Sequence, residues 1–246
     1  MSAGRNSIHI GTSGWHYGHW RGPFYPDGLG ADRFLASYAA RFPTVEINNS
    51  FYRLPSERAL ETWRDTVPSG FIFAVKGSRF ITHLKKLKDP ERSLAPFVDR
   101  IALLGEKLGP ILFQLPPRWH FDAARLAAFL TALPATQRYT LELRDRSWIN
   151  ASALDLLSSH GVAFCIYELD GYLSPREVTA DFVYIRLHGP GGPYQGQYDP
   201  RTLSAWAEAI SAWSRQGLEV FCYFDNDEAG FAARNALQLQ ALLLKG

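Results

Sequence analysis

Hydrophobic and polar positions alternate along residues 44–55, Thr-Val-Glu-Ile-Asn-Asn-Ser-Phe-Tyr-Arg-Leu-Pro. Val45 and Ile47 fall on one face of a strand and Glu46 and Asn48 on the other, because successive strand side chains point to opposite sides. The run lies between two helical patterns. That predicts a strand of a parallel sheet covered by helices, with Glu46 and Asn48 facing an interior. A carboxylate there is costly unless it is paired, so Glu46 belongs either to a satisfied polar cluster or to a site.

The same reading predicts strands over residues 8–12, 71–76, 111–115, 139–144, 162–167, 182–188 and 219–224. At or near their ends stand Lys76, Gln114, Glu142 with Arg144, Arg186 with His188, and Asp225. Between the strands, apolar residues recur at helical spacing. Phe34, Leu35, Tyr38 and Phe42 follow Asp32, a candidate cap; Leu60, Trp63 and Val67 follow Ser56; Leu126, Phe129, Leu130 and Leu133 follow Asp122. Asn150 is expected to cap a short helix ending near Gly161, and Asp199-Pro200 to open one carrying Leu203, Trp206, Ile210 and Trp213. Pro96 is expected in the first turn of a helix that runs through Phe97, Ile101, Leu104 and Leu108 and stops at Gly109-Pro110. Residues 168–180 show no helical stripe and predict a short or irregular crossover. Asn226 or Asp227 either caps the last helix or belongs to a site.

About eight strands alternating with about eight crossovers, with no internal repeat of about 20 to 50 residues, predict one (β/α)8 barrel of TIM type over residues 8–246, behind a tail at 1–7. In such a barrel the C-terminal ends of the strands meet on one face. The polar residues gathered strand by strand are therefore expected to converge there as the site. The alternative is a salt-bridge network that seals the barrel end.

Two loops change the picture. Residues 15–25 hold Trp15, His16, Tyr17, His19, Trp20, Phe24 and Tyr25. They read either as an aromatic plug or as a stacking surface for a sugar or base, with Trp15 and Tyr17 as the contact residues. The spacing of His16 and His19 invites a metal reading, but no acidic third ligand stands nearby, and no metal site is assigned. Residues 76–92 carry Lys76, Arg79, Lys85, Lys86, Lys88 and Arg92 against Asp89 and Glu91. This stretch reads either as a solvated loop or as an anion contact, phosphate first, with Phe80 and His83 interleaved. The loop at 189–198, Gly-Pro-Gly-Gly-Pro-Tyr-Gln-Gly-Gln-Tyr, is either a mobile cover or a glycine-softened connection. It is no dinucleotide fingerprint, since Tyr194 stands where the third glycine would fall, and no P-loop, so neither a nicotinamide nor a flavin cofactor is expected. The sequence names no other cofactor.

Composition adds limits. A chain of 246 residues that is 46% hydrophobic can fill one core, and a formal net charge of +2 gives no overall bias toward nucleic acid or membrane. Cys165 and Cys222 lie in apolar runs, where cysteine acts as a small hydrophobe. With no signal-peptide core and no stretch near the ~18 apolar residues of a membrane span, a cytoplasmic, soluble protein without a membrane partner is expected.

Several motifs then recur in order. They are Gly11-Thr-Ser-Gly-Trp15 with Phe24-Tyr-Pro26, Val45 to Pro55, Ile81-Thr-His83, Leu108 to Pro117, Glu142-Leu-Arg144 with Ser147-Trp148, Tyr184 to Gly189, and Tyr223-Phe-Asp-Asn-Asp227 with Asn235-Ala236. Together the chain resembles the YecE-like family, also called domain of unknown function 72. The resemblance implies a TIM-type barrel and no settled reaction. This chain departs from the family pattern at Asn49, where serine is expected, and at Asp225, where asparagine is expected. The second departure leaves open whether Asp225 acts as a carboxylate.

Three functional classes follow. The first is an enzyme, of hydrolase or lyase type, using general acid/base chemistry on an anionic or polyhydroxylated small molecule. In it Glu46, Glu142 and His188 are catalytic; Asn48, Lys76, His83, Gln114, Arg144, Arg186 and Asp225 hold the ligand. The second is a nucleic-acid-binding protein or nuclease, built on the basic and aromatic loops; a variant of either places a divalent metal among Glu46, Glu142, His188 and Asp225. The third is a scaffold barrel without catalysis.

Overall fold

A computed structural model describes residues 8–245, so the tail expected at 1–7 lies outside the described residues. Strand pairing runs β1 (Ile8–Thr12), β9 (Glu219–Phe224), β8 (Phe182–Leu187), β6 (Ala163–Leu169), β5 (Tyr139–Leu143), β4 (Leu108–Leu115), β3 (Ile72–Lys76) and β2 (Thr44–Ile47), with a short strand, β7 (Tyr172–Leu173), added antiparallel to β6. The eight strands on the main path are parallel and alternate with helices, the (β/α)8 barrel class of TIM type that the periodicity predicts. The chain packs as two compact units, residues 8–45 with 166–176 and 181–245, and residues 46–165 with 177–180.

In the first unit, β1 (Ile8–Thr12) and β8 (Phe182–Leu187) flank β9 (Glu219–Phe224), with Thr12 and Leu187 both level with Phe224. The end of β6 (Ala163–Leu169) turns back through β7 (Tyr172–Leu173), so part of the crossover expected to be irregular is a small hairpin. Helices α1 (Phe34–Ala39), α6 (Pro200–Arg215) and α7 (Phe231–Leu243) belong here. Asp199 caps α6 by accepting from Thr202 N. Asp32 caps nothing: it sits inside a 3-10 turn, Ala31–Arg33, and α1 begins after Arg33 with no side-chain cap. Trp15, Trp20, Phe24 and Tyr25 are all buried, and the Tyr25 ring stacks on Phe34 at 4.3 Å. Their burial matches the plug side of the loop's two readings, with Tyr17 half-buried beside them. Gly11 permits a close backbone approach, because a Cβ there would lie 2.3 Å from the carbonyl oxygen of Thr44.

In the second unit, β3 (Ile72–Lys76), β4 (Leu108–Leu115), β5 (Tyr139–Leu143) and the start of β6 lie side by side. Helices α2 (Glu57–Thr66), α4 (Ala123–Thr131) and α5 (Ala151–Ser159) open on the expected caps, Ser56, Asp122 and Asn150, each accepting a backbone N–H. The third helix is shifted. α3 spans Pro90–Ile101, with Pro90 at its first turn and Pro96 in its interior, and a 3-10 stretch, Ala102–Lys107, breaks at Gly105. Leu108 to Pro110, expected to end the helix, begin β4 instead. Gly109 is needed there for strand packing, since a Cβ would lie 2.3 Å from the Ile72 side chain. Leu94, Phe97, Val98 and Ile101 form the buried stripe that holds α3 despite its internal proline.

Candidate functional site

Parallel register places neighbouring residues on one face, and in the second unit it aligns the chemistry. Gln114 is level with Glu142, Leu112 with Thr140, Lys76 with Leu112, and Thr140 with Ala163. Two residues beyond Ala163, Cys165 lies on the same face and its thiol points at Glu142 Oε2, 4.0 Å away. Glu46, in β2 (Thr44–Ile47), and Glu142 are both fully buried. Arg144 Nε donates to Glu142 Oε1. Lys76 is 9% exposed, and its ammonium lies 4.5 Å from the centre of the Phe51 ring. Ser50 ties this corner together, donating to Lys76 O at 2.6 Å and Ile47 O at 3.0 Å. His83 is half-buried, edge-on to Phe51 at 5.0 Å, with Nδ1 2.9 Å from Thr82 Oγ1. Burial first, and then Lys76, Arg79 and Arg144, hold its imidazole below the usual histidine range.

The polar groups here are not all satisfied. Asn48 Oδ1, Gln114 Oε1 and Thr140 Oγ1 are buried without a hydrogen-bond partner among the described residues. Gln114 is only 8% exposed and Thr140 is fully buried. An unmet buried polar atom costs ~1–3 kcal/mol, so three in one unit, two of them on the adjacent strands β4 and β5, mark a place where folding is not the whole design.

Arg186, His188 and Asp225 form a second cluster, in the first unit. Arg186 is fully buried; its guanidinium donates to Asp225 Oδ2 at 3.1 Å and Ser13 Oγ at 3.3 Å, and reaches His188 Nε2 at 3.2 Å. A guanidinium only donates, so Nε2 meets Arg186 with its lone pair, while Nδ1 lies 3.0 Å from Asp225 Oδ2 in an ion-pair contact. Asp225 Oδ2 thus faces both Arg186 and His188. The Tyr194 ring stands edge-on to His188 at 5.4 Å, and Tyr194 N donates to His188 O. The loop carrying it is tethered: Asn226 Nδ2 donates to Gly196 O, and Asn235 Oδ1 accepts from Tyr198 N. A Cβ on Gly189, at φ +109°, would sit 2.1 Å from Gln195 O, so the turn that begins the loop requires glycine.

Asn226 and Asp227 do not cap the last helix. Asn226 holds the loop, and Asp227 accepts from Trp20 Nε1 and lies 3.2 Å from His19 Nε2; α7 starts after Gly230 with no side-chain cap. Burial pushes the Asp227 carboxyl up to about 6 against the opposing pull of Trp20 and His19. Burial likewise raises Glu168, whose backbone oxygen accepts from His188 N. Of the sequence-predicted residues, Glu46, Asn48, Lys76, His83, Gln114, Glu142 and Arg144 lie in the second unit, and Trp15, Tyr17, Arg186, His188 and Asp225 in the first. Sequence reasoning missed Ser13, Ser50, Phe51, Thr140, Cys165 and Tyr194 as partners. Thr140 and Cys165 were legible in principle, since alternation puts both on the Glu142 face. Among the described residues no group of three or more His, Cys, Asp or Glu side chains could hold a metal ion, so the metal variant of the sequence reading has no ligand set.

The family model described as a protein of unknown function, DUF72, matches residues 9–246. The chain belongs to the DUF72 family. This bears out the resemblance carried by the motifs. The UPF0759 protein YunF of Bacillus subtilis (strain 168) is 26% identical over 274 residues, covering 96% of this chain and 94% of that protein. A solved DUF72 family protein from Thermotoga maritima MSB8 is 29% identical, with a TM-score of 0.85 over 97% of this chain and 99% of that one. A second, from Enterococcus faecalis V583, is 21% identical, with a TM-score of 0.82 over 96% and 95%; at that identity the likeness is one of fold. DUF72 membership thus comes with the barrel and carries no reaction with it. Among the described residues no helix is long and apolar enough to cross a membrane.

Proposed function

We propose that this DUF72 protein is an enzyme that performs general acid/base chemistry on an anionic or polyhydroxylated small molecule, with Glu46 and Glu142 as its carboxylates. The observation that carries this is a set of two fully buried glutamates in one unit with Lys76 and Arg144, together with two amide oxygens, Asn48 Oδ1 and Gln114 Oε1, that have no partner among the described residues. A network whose only task is to seal a barrel end would complete its own hydrogen bonds. Asn48 and Gln114 orient the ligand, Lys76 and Arg144 answer negative charge as it develops, and His83 borders them. His188, with Arg186 and Asp225, is proposed as a proton carrier on the strength of its own cluster, in which Nδ1 lies 3.0 Å from Asp225 Oδ2. A cytoplasmic location belongs to this reading, supported by two buried free cysteines.

The test is turnover. The full chain is offered sugar phosphates and aryl glycosides, and product release is followed for wild type, Glu46→Gln and Glu142→Gln. The expected result is turnover that both substitutions reduce by ~100-fold or more. Equal turnover in all three proteins would overturn the assignment.

A second reading, binding of single-stranded nucleic acid, has one observation of its own. Phe80 is 47% exposed and Tyr52 73%, and Phe80, Lys85, Asp89, Arg92 and Ser93 line a cavity of about 220 Å³. Stacking plus phosphate contact is how such strands are held, and binding of this kind weakens steeply with salt. An affinity for an oligonucleotide that stays constant from low to high ionic strength would exclude it.

A further inference from the structure

We propose that the ligand of the Glu46/Glu142 site is a neutral polyhydroxylated molecule, a carbohydrate with adjacent hydroxyl groups, and that the site is not built for an anion. This rests on the acid/base reading above and narrows its substrate class. The unmet groups decide it. Asn48 Oδ1 and Gln114 Oε1 are carbonyl oxygens that lack a donor, Thr140 Oγ1 is a hydroxyl without a partner, and Gln114, 8% exposed, is in register with Glu142 on the same face. A phosphate brings acceptors, which suit the Thr140 hydroxyl but leave both amide oxygens as they are. A hydroxyl group brings a donor and an acceptor together, and each side-chain amide offers the complementary pair, a carbonyl oxygen beside an NH2. Two neighbouring hydroxyls on a sugar ring can therefore be held by one amide.

Charge points the same way. Arg144 already donates to Glu142, and the Lys76 ammonium sits over the Phe51 ring, so both of these cations are engaged. An anion entering beside Gln114 would meet the buried Glu142 carboxylate, in a medium that screens repulsion poorly. A neutral polyol leaves the Glu142–Arg144 pair intact, and its hydroxyls can donate to whichever carboxylate oxygens face it. Sites that hydrogen-bond a hydroxyl discriminate sharply, because their buried polar groups are left unmet when it is missing.

The experiment is calorimetric titration of the full chain with a panel of neutral hexoses, pentoses and myo-inositol, and separately with sodium phosphate against sodium chloride of equal ionic strength. The expected result is saturable binding of at least one neutral polyol, weakened ~10-fold or more in Gln114→Leu, with no saturable phosphate binding. Asn48→Ala, expected to weaken the same polyol, serves if Gln114→Leu does not fold. No saturable binding across the polyol panel, polyol binding unchanged by both substitutions, or saturable phosphate binding lost on Lys76→Met would each overturn the inference. Glu142→Gln separates the two claims: polyol binding that persists while turnover persists too sinks the acid/base reading alone, whereas phosphate binding with glutamate-dependent turnover sinks the polyol inference alone.

Discussion

Gln114→Leu is expected to make the protein more stable while it weakens ligand binding. Gln114 is 8% exposed and its Oε1 has no partner among the described residues. A buried acceptor in that state costs ~1–3 kcal/mol. Fixing a glutamine side chain costs up to ~1 kcal/mol more in rotamer freedom than fixing a leucine. Leucine has a similar volume and adds apolar surface to a face that already carries Leu112, two residues back on the same strand. Against these stands the loss of an amide dipole beside the Glu142 carboxylate, its neighbour in register. The net expectation is ~1–2 kcal/mol in favour of the variant. At ~2 cal/mol/K of unfolding entropy per residue, a chain of 246 residues gains ~2–4 °C in Tm from that. Urea denaturation with the m-value unchanged, together with a calorimetric scan, measures it. A variant that is instead ~1 kcal/mol or more less stable would mean that the amide is a satisfied member of a structural network, and the argument for a ligand there would lose its main support.

Two further outcomes follow from other parts of the chain. Burial raises the Asp227 carboxyl from the ordinary 3.8 to about 6, so the folded state holds a proton there that the unfolded chain has released between those values. Stability contributed by that proton is complete below pH ~4 and is lost as pH rises through about 6. Solvent screening at a carboxyl that is partly open limits the effect to ~1 kcal/mol. The stability of wild type relative to Asp227→Asn should therefore fall across that window, and a difference that stays flat or rises would contradict it. Gly189→Ala forces a Cβ against Gln195 O at positive φ and is expected to cost ~2 kcal/mol or more, read by the same denaturation; a loss below ~0.5 kcal/mol would show that the turn rearranges freely.

Much of the barrel is legible in the sequence because period alone distinguishes its elements. Strand residues such as Val45, Ile47, Leu141 and Leu143 alternate with polar ones, helix residues such as Leu126, Phe129 and Leu130 do not, and Ser56, Asp122, Asn150 and Asp199 mark helix starts by the oxygen they offer. Where reading failed, a local signal competed with tertiary packing. Pro96 looks like a first-turn proline, yet Pro90 already fills that role, and the stripe from Leu94 to Ile101 buries enough apolar surface to keep helix on both sides of Pro96. Asp32 and Asp227 have the right residue type for a cap. Asp227 is taken by Trp20 and His19, 207 and 208 residues away in sequence, which no local rule sees.

The site divides along the same line. Which residues are polar on an inward face follows from alternation, and Glu46, Gln114, Glu142 and Arg186 are buried as that rule requires. Which of them are satisfied is a property of pairs, and pairs are set by register and loop path. Arg186 finds Asp225, Ser13 and His188, all from other turns of the chain or from the same strand face, and its burial is fully answered. Gln114 sits level with Glu142 and finds no partner for its oxygen. Sequence marks both equally as polar residues near strand ends, but only the first has its chemistry completed by the fold. An incomplete group is one whose partner must come from outside, and the two unmet amide oxygens, rather than the count of charges, are why the amide-bearing cluster is the candidate for binding a ligand.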